Sequence, residues 1–180
     1  MTIPNILTII RIILVPLYLF VFYTLEENRI LYSGIIYILA GLTDMLDGRI
    51  ARKYGMVSKL GAALDPLADK LMTFAVLISF TSAQLISPWV LLIIGIKEIL
   101  MILGGFIIYL FKEKRVLPSN KYGKIATASF YAAILSIVFK IPSATLVNLL
   151  ILTTVTLNLL AFLNYFKIFM SKDRDSDYMR

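Results

Sequence analysis

The sequence contains no cysteine and no histidine, and only 16% of its 180 residues are charged. Without cysteine, disulfides and thiol redox chemistry are excluded. Without histidine, the chain lacks the commonest general base and the commonest ligand of transition metals. Any chemistry must therefore use carboxylates, Lys, Arg, Tyr and hydroxyl groups. That set favours hard cations such as Mg²⁺, Mn²⁺ or Ca²⁺ over Zn²⁺.

Hydrophobic residues make up 59% of the chain, against ~45–50% in soluble domains, which is typical of a polytopic membrane protein. A helix needs ~20 apolar residues to cross a bilayer. The sequence therefore predicts an all-α fold, a bundle of six transmembrane helices. We expect one membrane domain over residues 1–170 and a polar cytoplasmic tail over 171–180. The six predicted spans are residues 5–25, 30–47, 61–80, 88–111, 122–139 and 144–169.

The net charge of +7 comes from lysines and arginines that concentrate in the connections 48–59 and 112–124 and in the C-terminal tail. The opposite connections hold few basic residues. Since basic residues mark the cytoplasmic side of membrane proteins, we expect both termini in the cytoplasm. This pattern accounts for the charge without nucleic acid, which is not expected as a partner.

Four aspartates interrupt the apolar pattern on the same predicted side. Asp44 and Asp47 share one helix face at the end of the second span, and Asp65 and Asp69 share one at the start of the third. Gly61 lies one turn before Asp65 and leaves the backbone open to close approach. A single aspartate at a helix end is usually just solvated. Four aspartates near the seam where the second and third spans meet need positive charge to balance their own. Paired divalent cations would provide it, as in phosphoryl-transfer sites.

These residues belong to a longer pattern, DMLDGRIAR at 44–52 followed after eight residues by GAALDPLAD at 61–69. The pattern resembles the signature of the CDP-alcohol phosphatidyltransferase family. The resemblance implies six membrane helices, homodimers, and two Mg²⁺ or Mn²⁺ ions per active site. It also implies that an acceptor hydroxyl attacks the β-phosphorus of a CDP-linked lipid and releases CMP. The implied metal ligands are Asp44, Asp47, Asp65 and Asp69, and Asp69 is also the implied catalytic base.

The small residues of the pattern suit a flat cytosine ring, and Arg52 suits a diphosphate oxygen because a guanidinium binds bidentately. We predict a CDP site formed by Asn5, Thr8, Gly48, Ala51, Arg52 and Gly61.

Three further segments, IPNILTIIRIILVP, LDPLADKLM and GKIAT, are similar to the bacterial phosphatidylglycerophosphate synthases of that family. This similarity implies CDP-diacylglycerol as donor, glycerol 3-phosphate as acceptor, and a bacterial inner membrane. The predicted residues for the acceptor phosphate are Arg11, Lys97, Lys121 and Lys124. Each has a simpler interpretation: Arg11 could extend to the lipid headgroups, Lys97 could pair with Glu98, and the other two could be loop charges.

Ala126 and Ser129 depart from the motif of these synthases, in which lysine and glutamine are usual. The segment KEILMILGGFIIYL also resembles CMP-forming cardiolipin synthases, which use phosphatidylglycerol as acceptor. That acceptor is the first alternative. Intramembrane prenyltransferases need a second aspartate cluster, and a cation transporter needs acidic groups along the bilayer depth. Beyond the four aspartates, Glu98 is the only acid within a predicted span.

Overall fold

A computed structural model describes the backbone of residues 3–54, 59–111 and 121–177. Its side chains are described for 4–51, 53, 54, 64, 67–104 and 123–164. The described residues form six α-helices and no strand, which confirms the predicted all-α class. The helices are α1 (Ile3–Thr24), α2 (Arg29–Tyr54), α3 (Lys59–Ser82), α4 (Pro88–Phe111), α5 (Lys121–Val138) and α6 (Ala144–Asp177).

By length and hydropathy, three stretches of the described residues can cross a membrane: Pro4–Thr24, Arg29–Ala51 and Ala144–Asn164. They correspond to the first, second and sixth predicted spans, and they identify a helical membrane protein. The apolar part of α5, Gly123–Val138, is shorter. That the remaining three helices also cross the bilayer stays a prediction.

The second predicted span ended too early. It stopped at residue 47 and treated 48–59 as a connection, whereas α2 continues to Tyr54. After Gly48 the sequence RIARKY contains no helix breaker and several good helix formers, so the helix continues although its residues become polar. Likewise α6 continues past residue 169 to Asp177. The predicted spans were based on the length of each apolar stretch, and a helix can extend beyond its apolar stretch.

The chain divides into two compact units, Met1–Ser87 and Pro88–Arg180. In the first unit, α1 packs against α2 and α3, and α2 contacts α3. Phe22 of α1 lies 6.0 Å from the ring of Phe80 on α3. The buried Tyr18 hydroxyl lies 2.7 Å from Ser79 Oγ. Because an unpaired hydroxyl is unfavourable in an apolar interior, this hydrogen bond fixes the register of α1 against α3.

In the second unit, α6 packs against both α4 and α5. Ser143 caps α6, since its Oγ accepts a hydrogen bond from the Leu146 amide at 3.2 Å. α3 and α5 end in the same backbone conformation, since Gln84 and Lys140 adopt positive φ angles of 57° and 49°. The amide after each bonds five residues back, as in a Schellman motif. Both helices therefore end in defined turns without glycine.

Candidate active site

The first aspartate pair lies on the continuous part of α2 that extends to Tyr54. Asp44 and Asp47 are one turn apart, and Gly48 and Ala51 continue the same stripe of the helix, both half-buried. The carboxylates differ in environment. The Asp44 side chain is 51% exposed, whereas that of Asp47 is 5% exposed. The pair therefore has one solvated member and one buried member.

Arg11 of α1 contacts both carboxylates. Its Nη1 lies 2.6 Å from Asp44 Oδ1 at an angle outside the hydrogen-bonding range, so this contact is chiefly electrostatic. Its Nη2 donates a hydrogen bond to Asp47 Oδ2. The Arg11 side chain is 2% exposed, and its Nε has no hydrogen-bond partner among the described residues. Arg11 therefore does not extend to the headgroups but is buried against the aspartates.

Asn5 and Thr8, two of the predicted CDP-binding residues, lie on the same face of α1 as Arg11. Both are buried, and Thr8 Oγ1 donates to the carbonyl of Pro4 at 3.1 Å. Three polar residues at helical spacing in an apolar helix thus share one buried face. The last of them, Arg11, contacts the first aspartate pair. Because α1 begins at Ile3, Asn5 lies within the first turn of the helix.

The second aspartate pair lies in the first half of α3, which begins at Lys59. Asp69 is half-buried, and its Oδ2 lies 3.2 Å from Lys70 Nζ. Asp65 and Gly61 lie on α3 one and two turns earlier. The side chain of Asp65, like that of Arg52, falls outside the described residues. α2 and α3 contact each other as the predicted seam requires. Their described parts do not bring three acidic side chains together at one point.

The donor set nevertheless fits a hard divalent cation. All four candidate ligands are carboxylates, which Mg²⁺ and Mn²⁺ prefer. Asp44 and Asp47 already share one cation, the guanidinium of Arg11, so both carboxylates are directed at a common position. Two carboxylates that converge on one positive charge are suited to binding a cation between them.

Lys97 belongs to a buried polar network that joins α4 to α6. Its Nζ contacts the neighbouring Glu98 and donates to Asn158 Oδ1 at 2.9 Å. Asn158 in turn donates to the carbonyl of Thr154 at 2.9 Å. The structural interpretation of the Lys97–Glu98 pair is therefore supported. Sequence reasoning missed Asn158, although an asparagine within an apolar span was a usable signal.

The other two predicted phosphate-binding lysines lie in the first turn of α5. Lys121 is its first residue, with a side chain outside the described set, and Lys124 is exposed. The departures noted in the sequence, Ala126 and Ser129, are buried and half-buried on α5, and Ser129 donates to the Ala126 carbonyl at 2.8 Å. They therefore serve helix packing.

Comparison with known protein families matches residues 1–163 to the model described as CDP-alcohol phosphatidyltransferase. The chain belongs to the CDP-alcohol phosphatidyltransferase family. It is thus an enzyme that transfers a phosphatidyl group in phospholipid biosynthesis, as the aspartate pattern predicted. The matched residues include α1, α2 and α3, which carry the buried Arg11 and both aspartate pairs.

Two similar proteins are named CDP-diacylglycerol–glycerol-3-phosphate 3-phosphatidyltransferase. The one from Wigglesworthia glossinidia brevipalpis is 35% identical over 182 residues, covering 97% of each chain. The one from Aquifex aeolicus is 38% identical over 139 residues, covering 76% of this chain and 75% of its own. A third, named probable cardiolipin synthase (CMP-forming), from Drosophila melanogaster, is 37% identical over 109 residues. That match covers 60% of this chain and 33% of its own.

Proposed function

We propose that this phosphatidyltransferase uses CDP-diacylglycerol as donor and glycerol 3-phosphate as acceptor, and forms phosphatidylglycerophosphate and CMP. The substrates are those in the names of the two bacterial relatives. The observation that carries the proposal is the pair Asp44 and Asp47, directed at one shared cation on a helix that continues through the signature.

Two divalent cations, Mg²⁺ or Mn²⁺, would be held by the carboxylates of Asp44, Asp47, Asp65 and Asp69. Bound there, they would neutralise the diphosphate and stabilise CMP as it leaves. Because the chain has no histidine or cysteine, no imidazole or thiolate competes for the position. The same four carboxylates would repel one another strongly if no cation were present.

Asp69 is the proposed catalytic base. Its half-buried carboxylate takes the proton of the acceptor hydroxyl, whose oxygen attacks the β-phosphorus of the donor. A new phosphorus–oxygen bond forms, the bond to CMP breaks, and CMP carries away the electron pair. Lys70 Nζ lies 3.2 Å from Asp69 Oδ2, so the proposed base has a cationic neighbour on the same helix.

The proposed donor site follows the stripes of α1 and α2. Gly48 and Ala51 leave space for the cytosine beside α2, and Arg52 binds a diphosphate oxygen. Asn5, Thr8 and Gly61 complete the proposed CDP site. The buried position of Asn5 and Thr8 on the Arg11 face of α1 supports this grouping.

The acceptor phosphate is proposed to bind to basic residues. Lys124 is the best supported of them, because it is exposed at the start of α5; Lys121 lies one turn earlier. Arg11 has a buried Nε–H that can donate to a phosphate oxygen. Lys97 is already engaged by Glu98 and Asn158, so its contribution would require that network to open.

We further propose that the enzyme is a homodimer in a bacterial inner membrane with its active site and both termini on the cytoplasmic side. The distribution of basic residues supports this orientation. At the cytoplasmic surface the site can receive a lipid-anchored donor from the bilayer and a soluble phosphorylated acceptor from the cytoplasm.

The decisive experiment measures CMP release by the purified protein in detergent with CDP-diacylglycerol, Mg²⁺ and glycerol 3-phosphate. We expect turnover in the unaltered protein, and a decrease of roughly 10²–10⁴-fold in kcat for Asp69→Asn because the base is lost. Glu27→Gln, at an exposed residue between α1 and α2, is the control and should retain activity. Absence of CMP release with every acceptor would contradict the proposal, and full activity of Asp69→Asn would remove that residue from the mechanism.

The Drosophila relative supports a second acceptor, phosphatidylglycerol, which would make the chain a cardiolipin synthase. The same assay separates the two acceptors when each is offered alone at equal concentration. We expect faster CMP release with glycerol 3-phosphate, and the reverse order would favour the second function.

A further inference from the structure

We propose that Arg11 is an internal counter-ion of the first aspartate pair. Its guanidinium stabilises the metal-free protein and moves away from the carboxylates when a divalent cation binds to them. This inference rests on the proposed function, because it requires metal binding at Asp44 and Asp47. It adds a role for a residue that the signature itself does not include, since Arg11 lies on α1 and not in residues 44–69.

The burial of Arg11 is the first reason. Its side chain is 2% exposed in the middle of an apolar helix, and a guanidinium in such a position needs anionic partners. The described partners are Asp44 and Asp47. Asp47 is itself buried, so each of these two charges would be strongly unfavourable without the other. The pair therefore ties α1 to α2 at the level of the site.

Charge balance is the second reason. One guanidinium opposes two carboxylates, which leaves a net negative charge that attracts a further cation. A divalent ion on the same carboxylates would lie a few ångströms from the guanidinium and repel it. The Asp44 carboxylate is 51% exposed and that of Asp47 is 5% exposed, so water screens the contact of Arg11 with Asp44 more strongly. The exchange is therefore expected to begin there.

The flexible stem of arginine is the third reason. The guanidinium can turn away from the carboxylates without moving α1, and its Nε–H has no described acceptor to hold it in place. Arg11 thus acts as a positioning residue for the aspartates in the absence of metal. The consequence is that the unaltered site binds divalent cations less tightly than the same carboxylates would without Arg11.

Two measurements without substrate test this exchange: thermal unfolding in detergent with EDTA or Mg²⁺, and Mn²⁺ binding followed by electron paramagnetic resonance. In Arg11→Met we expect a lower unfolding temperature in EDTA, a larger increase on addition of Mg²⁺ than in the unaltered protein, and Mn²⁺ affinity at least about tenfold higher. Arg11→Lys should be intermediate, because one ammonium contacts fewer oxygens. If Arg11→Met survives only when it is extracted with Mg²⁺, that rescue also supports the exchange.

Arg29→Met is the matched control. Arg29 is the first residue of α2, and its guanidinium lies 5.4 Å from the centre of the Phe22 ring of α1. The variant removes a positive charge from the same helix pair, away from the aspartates. Its Mn²⁺ affinity and its response to Mg²⁺ should equal those of the unaltered protein. In EDTA, Arg11→Met should also be less destabilising in an Asp47→Asn background, since the pair is then already broken.

Unchanged or weaker Mn²⁺ binding in both Arg11 variants would overturn the inference, and so would a loss of stability that Mg²⁺ does not restore. Mn²⁺ that fails to bind the unaltered protein and every variant would instead contradict the proposed metal site. The two failures are therefore distinguishable.

Discussion

At the scale of single residues, the basic side chains proposed for the acceptor phosphate differ in what already binds them. Arg11 is buried, Lys97 is partly buried, and both are engaged by carboxylates, whereas Lys124 is exposed at the start of α5. A side chain that already satisfies its charge loses those contacts when it turns to a ligand. Lys124 is therefore the residue whose removal should affect acceptor binding most selectively.

We predict that Lys124→Ala raises the KM for glycerol 3-phosphate several-fold and leaves the KM for CDP-diacylglycerol nearly unchanged. The expected loss is about 1 kcal/mol, the magnitude of an exposed charge-assisted contact. The measurement is initial-rate kinetics with each substrate varied in turn. Lys140→Ala, at an exposed lysine after α5, is the control. Equal effects on the two KM values would show that Lys124 contributes only loop charge.

At the scale of helices, the structure adds polar contacts that sequence spacing does not reveal. Whether two aspartates share a helix face depends only on their spacing within one helix. The sequence could therefore predict a shared face for Asp44 with Asp47 and for Asp65 with Asp69. The contact of Arg11 with the α2 carboxylates, by contrast, depends on which helix packs against α1 beside Arg11. The hydrogen bond that Lys97 donates to Asn158 depends on contact between α4 and α6. Such tertiary contacts were beyond a prediction made from periodicity and hydropathy.

We predict that Asn158→Leu loosens the packing of α4 against α6. The variant removes the hydrogen bond that Asn158 accepts from Lys97 and leaves a partly buried ammonium with fewer acceptors, a loss of roughly 1–3 kcal/mol. The midpoint temperature of unfolding in detergent should decrease. Thr153→Leu, at an exposed residue of α6 whose hydroxyl bonds only within its own helix at Leu149, is the control. An equal change in both variants would mean that the network adds little to helix association.

At the scale of the whole molecule, composition predicted more than geometry did. The absence of histidine and cysteine restricted the predicted chemistry to carboxylates, Lys, Arg, Tyr and hydroxyl groups. The apolar excess indicated a helical membrane protein, and three described helices are long and apolar enough to cross a membrane. Helix ends were less predictable, because the polar ends of α2 and α6 remain helical beyond their apolar parts. Hydropathy indicates which residues can lie within the bilayer, but it does not indicate the residue at which a helix ends.

The absence of cysteine makes the orientation of the chain directly measurable, because each introduced cysteine is the only thiol. We expect Glu27→Cys and Ser87→Cys, both exposed between helices, to react in intact cells with a maleimide that cannot cross the inner membrane. Lys53→Cys and Lys124→Cys, exposed on α2 and α5, should react only after permeabilisation, since basic segments remain in the cytoplasm. The cysteine-free parent controls for background labelling. Labelling of residue 124 from outside would invert the orientation and place the proposed acceptor site away from the cytoplasm.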